Sequence, residues 1–236
     1  MKIGIIICTY QRPDGKTPEY LNRTLDSVLS QTYKNYKIYL IGDRYDDNEE
    51  FNEFSKKLTT VEHYCENLPI AHERDVYGSN KNALWSYGGT YATNYAMDLC
   101  EKDGIDFVIT LNHDDWWYES HLEEFYNCYE VFKCDFMCTK STFANPNNFL
   151  PTINSKEYYN SFFPRYGALI HSSAIINIKQ IPLRYIDLFK TTGSVGLPGD
   201  GEYWNRVTKY MTEKKLCGIM INKLTCRHDE EGHAKR

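Results

Sequence analysis

Three short apolar runs place the tightest limit on what this chain can become: "KIGIIICTY", "YKIYLIGD" and "DFVITL", separated by segments with helical spacing. Parallel strands need long crossovers, so strands alternating with helices point to βαβ units and a mainly parallel sheet. The first helix is expected over "TPEYLNRTLDSVLSQTY", with Thr17 as its cap, Pro18 in the first turn, and Leu21, Leu25, Val28 and Leu29 on one face. A short helix at "EEFNEFSKKL", a third strand at "TVEHYC" and a longer helix at "GGTYATNYAMDLCEK" follow. "DFVITL" is almost wholly apolar, which suits a strand covered on both faces. In open α/β sheets, ligands bind beyond the carboxyl ends of such strands.

The second half reads less regularly. A helix is expected at "SHLEEFYNCYEVF", capped by Ser120, with Leu122, Phe125, Tyr126 and Tyr129 facing inward. "KSTFANPNNFLPTINSKEYYNSFFPRY" has the Asn, Pro and Ser content of a long loop or hairpin region. "GALIHSSAIINI" resumes a buried strand and short helix, "TTGSVGLPGDGEYWNRVTKYM" passes from a glycine-rich loop into a helix, and "CGIMINKLTC" is a final strand. No repeat, low-complexity block or sharp linker divides the 236 residues, and 42% hydrophobic content is enough for one core, so a single domain over 1–236 is expected.

Charge and termini narrow the partners. A net charge of -5 with no basic block gives no broad attraction to phosphate polymers, so nucleic acid is not an expected partner. The apolar start is too short for a membrane span and lacks a secretory cleavage site; a cytoplasmic protein without a transmembrane segment is the expectation. Eight dispersed cysteines, several inside core segments, read as reduced thiols. The spacing of Cys128, Cys134 and Cys138 does not match a zinc knuckle.

The chemistry concentrates in "FVITLNHDDWWYES". An apolar strand ends there in Asn112, His113, two adjacent acids and two tryptophans. Adjacent like charges resist desolvation, so either water bathes Asp114 and Asp115 in a plain turn, or a cation offsets them. Carboxylate oxygens suit a hard divalent ion such as Mg²⁺ or Mn²⁺. Strand alternation would turn His113 away from these acids. Trp116, Trp117 and Trp204 are each suited either to stacking on a sugar face or to packing the core.

The order "IIICTYQRP", "TLDSVLSQTYKNYKIYLIGD", "GTYATNYAMDL", "VITLNHDDWW", "PGDGEYWNRV" resembles the inverting family-two nucleotide-sugar glycosyltransferases of GT-A fold. The likeness is strongest up to Tyr118 and weaker from Asn145 to Leu197. It implies a Rossmann-like sheet, with residues 1–118 forming a nucleotide-binding half and 119–236 an acceptor-binding half. It further implies a divalent metal at "LNHDDWW", with Asp114 as direct ligand, Asp115 completing or orienting the shell, and Asn112 at a place usually held by an acid. Thr9, Tyr10, Arg12 and Asp43 would meet the donor nucleotide. A carboxylate at Asp43 accepts from uracil N3–H but not from cytosine, which favours a UDP-sugar. Asn94 matches a position near nucleotide or sugar, although the usual preceding Arg is Thr93 here. Asp200 falls at the family's base position, with Glu202 in reserve, and flanking glycines would let the backbone approach a ligand. His228, more than His233, would close the metal or diphosphate site. The acceptor, a glycan, protein or lipid-linked hydroxyl, would be shaped by residues 141–165 and 189–197.

Two other readings are consistent with the residues. A nucleotidyltransferase also uses an α/β sheet, but a glycine-rich basic loop is expected at its start and "CTYQRPDGK" holds only Gly15. A non-catalytic sugar- or nucleotide-sugar-binding protein of the same fold is kept open by Asn112 and Thr93.

Overall fold

The computed structural model describes residues 1–143, 145–153 and 155–228; His233 lies outside them. The first half alternates as its apolar runs require: β1 (Ile3–Thr9), α1 (Thr17–Leu29), β2 (Tyr36–Gly42), α2 (Asn48–Lys57), β3 (His63–Asn67), then helices α3 (His72–Tyr77), α4 (Lys81–Tyr87) and α5 (Thr90–Lys102), and β4 (Phe107–Thr110). These four strands lie side by side in the order β3-β2-β1-β4, all parallel. β1 and β2 are buried along nearly their whole length because helices cover both faces, whereas β3 at the edge is half-buried throughout.

The remainder is β5 (Trp116–Trp117), α6 (His121–Phe132), β6 (Phe136–Phe143), β7 (Asn145–Leu150), β8 (Tyr159–Ser161), a 3₁₀ turn (His171–Ser173), β9 (Ala174–Asn177), α7 (Leu188–Thr192), α8 (Gly199–Lys214) and β10 (Gly218–Arg227). β9 joins β4 to β6 by antiparallel pairing, β10 runs parallel to β6, and β5 pairs antiparallel with β10. The result is one mostly parallel α/β sheet flanked by helices, as expected from the sequence. It brings the carboxyl end of β10 beside the segment leaving β4, although 110 residues of chain intervene.

Two cores sandwich the sheet. Ile3, Ile5 and Ile7 face one with Leu21, Leu25 and Val28 of α1; Ile6, Tyr39 and Ile41 face the other with Ala92, Ala96 and Met97 of α5. Trp117 and Trp204 pack in these cores, so neither is available as a stacking platform. Several local expectations are corrected. Thr17 is the first helical residue rather than the cap; its hydroxyl accepts from Arg12 N and donates to the Tyr10 carbonyl, pinning the β1–α1 loop. Ser120 occupies the N-cap of α6 without a side-chain capping bond. α3 and α4 fall where no helix was expected, and the 3₁₀ turn precedes β9 rather than following it.

Candidate active site

The site grows from the carboxyl ends of β1, β2 and β4. Asp43, just past β2, donates its N–H to the Thr9 carbonyl at 2.7 Å. The Thr9 hydroxyl meets His113 Nδ1 at 2.9 Å, tying β1 to the loop after β4. Burial holds His113 below the ordinary imidazole range, so its ring is neutral near pH 7. Tyr10 is 37% exposed, its ring centroid 5.4 Å from that of His113, and the Arg74 guanidinium sits 5.4 Å over the same tyrosine.

Arg74, from α3, donates to the carbonyls of Asp43 and Arg44, and its Nε lies 3.5 Å from the Asp43 carboxylate. Asp43 is buried with one carboxylate oxygen lacking a hydrogen-bond partner. Burial pushes its carboxyl above the usual range, against the pull of Arg74. An orphaned acceptor beside an exposed aromatic face suits a planar ring that donates one N–H. Arg74 is a residue the sequence reading missed; its only signal was lying shortly after the third strand's end.

The acids after β4 part company. A turn closed by Asp115 N–H to the Asn112 carbonyl breaks strand alternation, so the two side chains find different surroundings. Asp114 Oδ2 lies 3.7 Å from Arg12 Nη1, and Arg12 is itself paired with Asp14. Asp115 is fully buried and accepts from His228 Nδ1 at 2.8 Å, Ser172 Oγ at 2.5 Å and Asn112 Nδ2 at 3.2 Å. Helix α1 clamps the loop from below. Arg23 donates to the Asp114 carbonyl at 2.8 Å, and the single hydroxyl proton of Thr24 is shared between the carbonyls of His113 and Asp115, 2.9 and 2.6 Å away. Geometry therefore pairs His228 with Asp115, not with Asp114. Three donors and an arginine resolve the repulsion that the bare sequence poses.

Among the described residues no group of three or more His, Cys, Asp and Glu is arranged to hold a metal. Asp115 and His228 still converge as one carboxylate oxygen and one imidazole nitrogen, a donor pair that suits Mn²⁺ better than the oxygen-seeking Mg²⁺.

Asp200 opens the far side, exposed in the first turn of α8, with Oδ1 accepting from Gly201 N–H at 2.8 Å. The flanking glycines serve close packing within the chain: a Cβ on Gly199 would sit 2.8 Å from the Ser86 carbonyl, and one on Gly201 would collide with the Tyr166 ring. Glu202 is salt-bridged to Arg206 at 2.5 Å, which leaves Asp200 the less encumbered acid. His171, next to Ser172 on the 3₁₀ turn, is held below its ordinary range by burial, while Asp200 and Asp115 pull the other way. Its Nε2 meets the Tyr185 hydroxyl at 2.8 Å. Asn94 does not project into this space freely: its amide donates to the Tyr185 carbonyl at 3.0 Å and accepts the Tyr185 N–H at 2.9 Å. His171, Ser172 and Tyr185 were invisible to the sequence reading.

Known proteins share parts of this sequence and fold. Residues 4–61 match the family model described as glycosyl transferase family 2. An uncharacterized glycosyltransferase of Acanthamoeba polyphaga mimivirus is 36% identical over 242 residues, covering 100% of this chain and 96% of that protein. Glycosyltransferase GlyA of Streptococcus pneumoniae is 26% identical over 134 residues, 57% of this chain and 16% of its own. Crystal structures of S. aureus TarS residues 1–349 superpose with a TM-score of 0.70 at 14% identity, both with UDP, covering 97% of this chain, and with UDP-GlcNAc, covering 100%. This chain spans 60% and 62% of those TarS chains. That likeness establishes the GT-A-like fold.

Proposed function

The chain belongs to the glycosyltransferases, its first strands and helices to family 2, and on that premise we propose that it transfers a sugar from a UDP-sugar to an acceptor hydroxyl with inversion. One observation carries the proposal: Asp43, with its unpartnered carboxylate oxygen, and Tyr10 lie at the same sheet edge as the carboxylate–imidazole pair of Asp115 and His228, and His171 and Tyr185 join that edge to the start of α8, which bears Asp200. TarS, of the same fold, binds UDP and UDP-GlcNAc.

In this scheme uracil stacks on Tyr10 and donates N3–H to the orphaned Asp43 oxygen. Asp115 and His228 would hold a divalent ion such as Mn²⁺, whose charge would offset that building on the diphosphate leaving group. Ser172 and Asn112 fix the Asp115 carboxylate so that it is in place before the donor arrives. Arg12, 3.7 Å from Asp114, adds positive charge on the diphosphate side. Asp200, exposed at the start of α8, takes the proton of the acceptor hydroxyl as it attacks from the face opposite the diphosphate. Asn112 replaces a charge with an amide but keeps a hydrogen bond to Asp115, so the site retains its cation ligands.

Calorimetric titration with UDP, with and without Mn²⁺, followed by a UDP-sugar hydrolysis panel, tests this. Metal-enhanced UDP binding with turnover is expected. Absence of UDP binding would sink the proposal, and binding without turnover would favour a non-catalytic member of the fold.

A further inference from the structure

The 3₁₀ turn sends adjacent side chains to opposite sides of the site. Ser172 Oγ reaches Asp115 at 2.5 Å and accepts the Asn112 N–H at 3.1 Å, while the Ser172 carbonyl accepts from Trp117 Nε1 at 2.8 Å. These bonds fix the turn rigidly to the segment leaving β4. His171 reaches the other way, to the Tyr185 hydroxyl at 2.8 Å, and its ring lies 5.3 Å from that of Trp204. Tyr185 stacks on Tyr203 at 4.2 Å with an interplanar angle of 13°, and both its backbone groups are held by Asn94. Tyr203 and Trp204 stand in the same first turns of α8 as Asp200. Between Tyr185 and Asp200 runs a mostly exposed segment that includes α7, with Ile186, Val195 and Leu197 at its surface.

We infer that His171 is a positioning residue for transfer: its hydrogen bond to Tyr185 sets the distance between the donor-side carboxylate, Asp115, and the acceptor-side acid, Asp200. This rests on the proposed transfer reaction. The dipeptide His171–Ser172 touches both halves of the site. The His171–Tyr185 bond is directional, whereas the ring contacts that join the halves tolerate sliding. Without it, the loop end and the first turn of α8 keep their apolar packing but lose their register against Asp115. Loss of register costs turnover more than donor binding, because the nucleotide is held by β1 and β2 on the far side.

The test is steady-state UDP-sugar hydrolysis and transfer by wild type, Tyr185→Phe, His171→Ala and His171→Asn, with UDP affinity by calorimetry and thermal midpoints alongside. Tyr185→Phe removes one hydroxyl and keeps the stack, so it is the variant least able to unfold the chain. It and His171→Ala are expected to lower kcat about tenfold, the effect of one lost hydrogen bond, with KM for the donor and UDP affinity within about twofold of wild type. His171→Asn, which can still bond the hydroxyl, is expected to recover most of the rate. Wild-type kcat in both Tyr185→Phe and His171→Ala overturns the inference, as does a parallel fall of kcat, UDP affinity and thermal midpoint, which would mark a merely structural role. A wild-type chain inert toward every UDP-sugar would overturn the functional proposal and this inference together.

Discussion

At the scale of the residue, each charged group near the site has a distinct consequence. Asp43→Ala removes the orphaned acceptor and is expected to weaken UDP binding about 10- to 100-fold, the worth of a hydrogen bond to a charged group; unchanged calorimetric affinity would remove uracil from that pocket. Asp115→Asn is expected to abolish most of the Mn²⁺ enhancement of UDP binding, by at least about tenfold, since ligand and second-sphere changes typically cost that much. Glu73 gives a pH signature. Its carboxylate is buried, accepts the Tyr91 N–H at 2.9 Å and has its pKa pushed up to about 7 by burial, with Asp43 adding to the shift. A carboxyl whose folded pKa is raised favours the folded state most below its unfolded pKa and loses that contribution as pH climbs through the folded value. Stability should therefore decline between about pH 4.5 and pH 7 by up to about 3 kcal/mol from this group, and Glu73→Gln should flatten the slope in urea titrations run across that range.

At the scale of the element, helix α1 does two things. Its buried face anchors the sheet, and Arg23 and Thr24 hold the loop that carries the acids. Leu25→Ala, at a fully buried position, is expected to cost about 2–5 kcal/mol in urea unfolding while leaving the site geometry intact in the surviving folded fraction. Helix α8 is different, since its start is set by packing. Gly199→Ala would force a methyl group against the Ser86 carbonyl and displace the turn bearing Asp200, so turnover should fall more than UDP affinity. β1, β2, β4 and helix α1 were legible because each is buried over its own length and its pattern needs no distant partner. α3 and α4 were not: they are six and seven residues long, and neither has room for a repeated apolar spacing. The bulk of the 141–165 stretch was read as loop or hairpin, and β7 indeed folds back on β6 there.

At the scale of the whole molecule, ligand and fold are coupled. If UDP with Mn²⁺ binds the folded chain alone, saturation at about 100 times Kd should add about 2.7 kcal/mol and raise the thermal midpoint by roughly 5–10 °C, whereas UDP with a chelator should give less. Among the described residues no helix is long and apolar enough to cross a membrane. The sequence by itself determined the alternation of strands and helices, the sheet edge where chemistry would gather and most acids of the site. Those features follow from side-chain periodicity and from the cost of burying like charges, both local properties. Only the tertiary structure decided that Asp115 rather than Asp114 meets His228, that Arg74 guards Asp43, and that His171 and Ser172 span the site. Those contacts join residues 14 to 113 positions apart, and which of two neighbouring side chains turns toward such a partner is set by one backbone turn and by sheet order, neither of which leaves a periodic trace in the chain.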